Sequence, residues 1–71
     1  MGAWVFRRTV AGVDEYWTGE MDYGEPVVSV HRCEALGFTG RSPEDGYSAA
    51  MQTAQTHAAL RDSEEWKVVR R

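Results

Sequence analysis

The chain has a single cysteine, so no intrachain disulfide framework can hold it, and a reducing cytoplasm is the expected compartment. No apolar run nears the ~20 residues of a membrane-spanning helix, and the first ten residues lack the long apolar stretch of a signal peptide. The seven glycines never fall into G-x-G-x-x-G or G-x-x-x-x-G-K-[ST], which removes the usual dinucleotide and phosphate loops. Positive charge is also short. Eight Lys and Arg stand against eleven Asp and Glu, a net charge of −3, where a nucleic-acid module is commonly basic. What is present belongs to a folded protein: 42% hydrophobic and 11% aromatic residues over 71 positions. Disorder would need fewer aromatics and more net charge. A chain of this length buries only about 60% of its surface and builds one domain, spanning 1–71, with a thin stability margin.

Period-2 alternation marks a strand over Ala3–Val10, with Trp4, Phe6 and Arg8 on one face and Val5, Arg7 and Thr9 on the other. Ala11–Asp14 is turn-forming, and Glu15–Thr18 resumes as the second arm of a hairpin. Gly19–Pro26, with two glycines and a proline, reads as a loop, and β-branched Val27–Cys33 as a third strand. Ser42-Pro43-Glu44-Asp45 is the sharpest local signal. Proline holds Ser42 in the extended region an N-cap needs and suits the first helical position, while two carboxylates complement the helix dipole. An alanine-rich helix is expected from Pro43 to about Leu60, its stripe running through Tyr47, Met51, Ala54 and Ala58, with a poorly marked end. Trp66–Arg70 is the last strand. The order β-β-β-α-β predicts a small α+β domain, one helix packed on a four-stranded, mainly antiparallel sheet. A right-handed crossover would lay the last strand parallel to the first, in spatial order 3-2-1-4. Trp4, Phe6, Val28, Val30, Trp66 and Val68 should face the helix, leaving the other sheet face open or covering a partner.

Chemistry is sparse. His31, Cys33 and His57 are metal-ligand types, but zinc usually takes four ligands at paired spacings that are missing, so no metal and no cofactor are expected. A Cys33–His57 nucleophilic pair lacks an orienting third group and an oxyanion hole, and no carboxylate pair has a reason to shift its pKa. The chain reads as no enzyme. Arg7, Arg8, Lys67, Arg70 and Arg71 lie on strands expected to be neighbours and could form a nucleic-acid-binding edge. The acidic balance argues against that, and cations on exposed strands also guard edges against aggregation. The most pronounced cluster is Asp14, Glu15, Glu20, Asp22 and Glu25, five carboxylates without one Lys or Arg between 14 and 25, against +2 for the remainder. Interleaved are Tyr16, Trp17, Met21 and Tyr23, of types enriched at recognition hot spots. Such a hairpin can imitate a phosphate backbone and engage a basic groove, with the rings as anchors. The plainer reading is a solvated hairpin whose Trp17 covers the sheet. A homodimer burying Tyr16 and Trp17 across the open face is a further alternative.

Around Tyr16-Trp17-Thr18-Gly19 the chain resembles small bacteriophage and prophage open reading frames. These run from a "yWTG"-like turn to an alanine-rich helix after a Ser-Pro-Glu-type cap, here Ser42-Pro43-Glu44, and end in a strand like Trp66-Lys67-Val68-Val69. Among them, anti-CRISPR proteins are similar in size, acidity and single compact α/β build, and they share no motif that maps onto positions here. The resemblance implies a mode of action: stoichiometric, non-catalytic inhibition of a Cas protein or complex inside the bacterial host cell.

Overall fold

Two tight turns set the sheet. In the computed structural model, which describes residues 3–71, strand β1 (Trp4–Val10) meets β2 (Val13–Asp22) through Ala11-Gly12, and β2 meets β3 (Glu25–Ser29) through Tyr23-Gly24. Both central residues of each turn have positive φ: Ala11 +52° and Gly12 +81°, Tyr23 +50° and Gly24 +80°. That is the mirror-image turn whose twist matches paired strands, and glycine supplies its second position without strain. The stretch expected to be a loop from Gly19 is therefore mostly strand. Between Trp17 and Met21 the register shifts, because β2 carries a bulge at Gly19 (φ +99°). The bulge lets the Trp17 indole N–H donate to the Glu20 carbonyl at 2.8 Å.

The third strand stops at Ser29, short of the expected Cys33, and Arg32–Glu34 forms a 3-10 turn. The segment after it enters the sheet. Phe38 and Trp4 exchange backbone hydrogen bonds at 2.8 and 3.0 Å, and the Leu36 amide donates to the Trp17 carbonyl at 3.0 Å. β1 and β2 pair only from Arg7–Tyr16 to Val10–Val13, so below Arg7 this segment holds the place between them.

That traverse corrects the expected crossover. Four strands lie in the order β3-β2-β1-β4, as anticipated, but β4 (Lys67–Arg70) runs antiparallel to β1, pairing Trp4 with Arg70 and Arg7 with Lys67. Residues 30–42 carry the chain back along the sheet once, and helix α1 (Pro43–Thr56) returns it, so β4 starts at the end opposite to that of a simple βαβ unit.

Helix α1 begins where the sequence places it. Ser42 is extended (φ −137°, ψ 164°), and its hydroxyl accepts from the Asp45 amide. Glu44 is held below the usual carboxylate range, chiefly by accepting from its own backbone amide and then by the Ser42 hydroxyl. A carboxylate with a lowered folded-state pKa adds stability above its unfolded pKa, and that stability fades as pH falls through the folded value. Glu44→Gln should therefore lower the melting temperature near neutrality, and the gap to the parent should close in acid. A gap that persists unchanged in acid would refute this role.

The helix ends early. His57 breaks it (φ −123°, ψ 106°) before the short helix α2 (Ala58–Arg61), where one helix to Leu60 was expected. The break turns Leu60, off the stripe of an unbroken helix, into the core, and stacks the His57 ring edge-on against Trp17 at 5.5 Å. The buried face of α1 is the small-residue row Gly46, Ala50 and Ala54, with Ala50 fully enclosed, so the helix sits low on the sheet. Tyr47 and Met51, expected on the inner stripe, stand at its exposed margin. Under α1, Phe6, Trp17, Leu60 and Trp66 form the main core, with Val28, Phe38 and Val68 packed around it. Val30, expected there, is exposed because β3 has already ended. On the other sheet face Val5, Tyr16 and Ala35 make a second, smaller core with Val69 against it. The chain's own segment 32–35 covers that face, and the Arg32 guanidinium lies 6.0 Å over the Tyr16 ring.

Candidate protein-binding site

The eight residues expected to form one acidic-aromatic face do not lie together. Asp14 and Glu15 adjoin the Ala11-Gly12 turn, whereas Asp22, Tyr23 and Glu25 form the Tyr23-Gly24 turn at the other end of β2. Eight residues of strand at about 3.3 Å each separate these groups by roughly 25 Å. The upper group is also satisfied internally. Glu15 takes an ion pair from Arg8 at 2.8 Å, and Asp14 accepts from the Thr9 hydroxyl at 2.7 Å. The Glu15 charge is thereby neutralised, whereas Asp14 keeps its charge but is tied to β1 through Thr9.

Two of the proposed anchors are core residues. Tyr16 is 5% exposed and Trp17 only 2%, on opposite faces of the sheet. Successive side chains on a strand point to opposite sides, so Tyr16-Trp17 must divide between two environments, and here each has a core to fill. Neither can be a docking anchor or the buried seam of a homodimer while the fold is intact.

What survives is the β2–β3 turn. Tyr23 is completely exposed, with Asp22, Glu20 and Glu25 exposed around it. Among the described residues the ion pairs are Arg8–Glu15 and Arg61–Asp62, so these three carboxylates carry unpaired charge. Tyrosine at φ +50° also occupies a position that favours asparagine, aspartate or glycine.

The expected basic edge divides as well. Arg8 and Arg70 lie on the helix side, Arg8 4.8 Å over the Trp66 ring and Arg70 5.1 Å over Trp4. Their stems cover those indoles, and Arg8 is already paired with Glu15. Arg71 donates to the Ala35 carbonyl at 2.6 Å on the other face. Arg7 and Lys67 remain there side by side, but Glu64 and Glu65 line the same recess. The five cations thus form no continuous track for a phosphate backbone.

The metal-ligand types are equally dispersed. His57 packs on Trp17, while Cys33 lies exposed in the 3-10 turn after β3. Among the described residues no three His, Cys, Asp or Glu side chains gather as ligands, and no helix is long and apolar enough to cross a membrane.

A cleft between α1 and β4 is a feature with little signal in the residue pattern. Its floor is Phe6, Trp66 and Val68 and its helical wall Tyr47, Met51 and Ala54; a separate recess lies beyond Trp4, lined by Phe38–Pro43 and Arg70. The nearest signal was the apolar pair Tyr47 and Met51, which a helix centred on Ala50 leaves at its rim. No family model, curated protein or solved structure matches the chain.

Proposed function

We propose that this chain is a non-catalytic protein-binding module that docks through its β2–β3 turn, with Tyr23 as the anchor and Glu20, Asp22 and Glu25 as an acidic collar for a basic pocket. The observation that carries the reading is Tyr23 itself: an aromatic ring 101% exposed on a backbone with φ +50°. Left-handed backbone at a non-glycine residue costs roughly 1–2 kcal/mol, and exposing the ring recovers none of it. Strain at a fully exposed hot-spot residue type is what a preorganised recognition tip requires.

The proposal separates binding from stability. Tyr23→Asn places a residue suited to the turn and should stabilise the fold by about 0.5–1 kcal/mol. The same change should remove partner capture, and Glu25→Lys should weaken it. The test presents immobilised parent protein and both variants to a bacterial lysate, beside thermal melts of each. A protein retained by the parent and lost with Tyr23→Asn supports the reading; equal retention by all three refutes it. The resemblance to phage inhibitors extends the proposal to one partner class, a CRISPR-Cas complex in the bacterial cytoplasm engaged at its nucleic-acid channel. The retained protein would then be a Cas subunit, released by competing nucleic acid.

A further inference from the structure

The structure assigns a second binding surface: the free edge of β4 and the cleft beside α1 form a site for an extended protein segment with an apolar centre and acidic flanks. This rests on different residues from the β2–β3 turn and does not depend on it.

Backbone direction comes first. Trp4 points its amide and carbonyl at Phe38, so Val5 and Arg7 point theirs at β4, where Val69 and Lys67 receive them. The Arg71 amide likewise turns inward, to the Ala3 carbonyl. By alternation, Val68 and Arg70 direct their amides and carbonyls away from the sheet. β4 ends the strand order, so among the described residues these groups form an unpaired edge, a ready template for an incoming strand.

The neighbouring surface decides what kind of strand. An added strand would lie beside Val68 and Trp66 with Met51 and Tyr47 across from it, an apolar bed for its central side chains. Charge flanks that bed. Lys67, on the sheet face it shares with Arg7, precedes the two valines of β4 and Arg70 follows them, with Arg41 in the separate recess beyond Trp4; Arg61 at the upper end of the cleft is already paired with Asp62. Glu44 adjoins the bed, in the recess between Trp4 and Tyr47. Cations at both ends of an apolar bed complement a segment with carboxylates on either side of a short apolar run.

The same charges disfavour a second copy. Pairing β4 with its twin would bring Lys67, Arg70 and Arg71 of both chains along one seam, and like charges opposed across strands are destabilising. Basic edge residues therefore keep the strand from self-association while leaving it open to an acidic one.

The experiment is a titration of isotopically labelled protein with a blocked heptapeptide, three valines flanked by two glutamates at each end, followed by amide resonances. The expected result is saturable shifts led by the Val68 and Arg70 amides. Lys67→Glu, at an exposed position, should weaken the peptide about tenfold, as should replacing the peptide's glutamates with lysines. Arg70→Pro deletes one outward donor without touching the β1 ladder and should abolish the shifts, and Lys67→Glu carries the test if that variant does not fold. Silence at Val68 and Arg70 up to millimolar peptide overturns the assignment. So does equal affinity for the lysine peptide, or a dimer of the protein alone that protects those amides.

Discussion

Trp17→Ala is expected to leave the chain at the brink of unfolding at 25 °C, with a urea midpoint close to zero. Large aromatic-to-alanine changes in a core cost about 3–5 kcal/mol, and a domain of this size holds on the order of 4–10 kcal/mol in all. Trp17 is at the upper end of that range for local reasons. Its ring is met edge-on by Phe6 at 5.7 Å and by His57 at 5.5 Å, so it joins the sheet to the helix break. Its N–H also closes the β2 bulge on the Glu20 carbonyl, which the variant leaves unpaired. Circular dichroism against urea reads the loss. A cost below about 1 kcal/mol, accompanied by lost partner capture, would return Trp17 to the docking role that its residue type first suggested.

Gly46→Ala is expected to destabilise the protein by about 1–2 kcal/mol, against the direction of helix propensity. Alanine in a helix interior is ordinarily better than glycine by about 1 kcal/mol. Here the added methyl would stand 2.8 Å from the Phe38 carbonyl oxygen, 2.9 Å from Cδ1 of Trp4 and 3.3 Å from Cα of Thr39. Two of those neighbours are backbone and cannot rotate away, so α1 must lift, and overpacking of this kind costs about 1–3 kcal/mol. Lifting also strains the bond from the Trp4 indole N–H to the Pro43 carbonyl, 2.8 Å in the parent. Thermal unfolding decides the sign, and a variant more stable than the parent would show that the helix start is free to move.

The fold was legible where local rules act alone. Ser42-Pro43 fixes a helix start by sterics and one hydrogen bond, and the alternation in β1 fixes which of its side chains meet the helix. Neighbouring elements were harder to read. Gly19 looks like a chain breaker in sequence, but within a sheet it makes a bulge. Tyr23-Gly24 lacks the asparagine or aspartate that advertises a mirror-image turn. The direction of β4 depended on Leu36 and Phe38 bonding to Trp17 and Trp4, contacts across 19 and 34 residues that no local pattern announces. The candidate site follows the same division. Tyr23 and its carboxylates could be named from sequence, but residue type cannot tell a core tryptophan from a docking one. That difference is made by what packs opposite Trp17, Phe6 and His57 among them.

Residues 35–38 have the look of a connecting loop and the duty of a rung. They supply the backbone partner of Trp4 on that side and hold the Trp17 carbonyl, so the lower sheet stays gapped until they arrive. A growing chain that has made its first two hairpins still lacks this insert, and splicing extra residues into it would open the ladder rather than lengthen a tether. Tolerance to insertion should therefore fall to that of a central strand across these four positions.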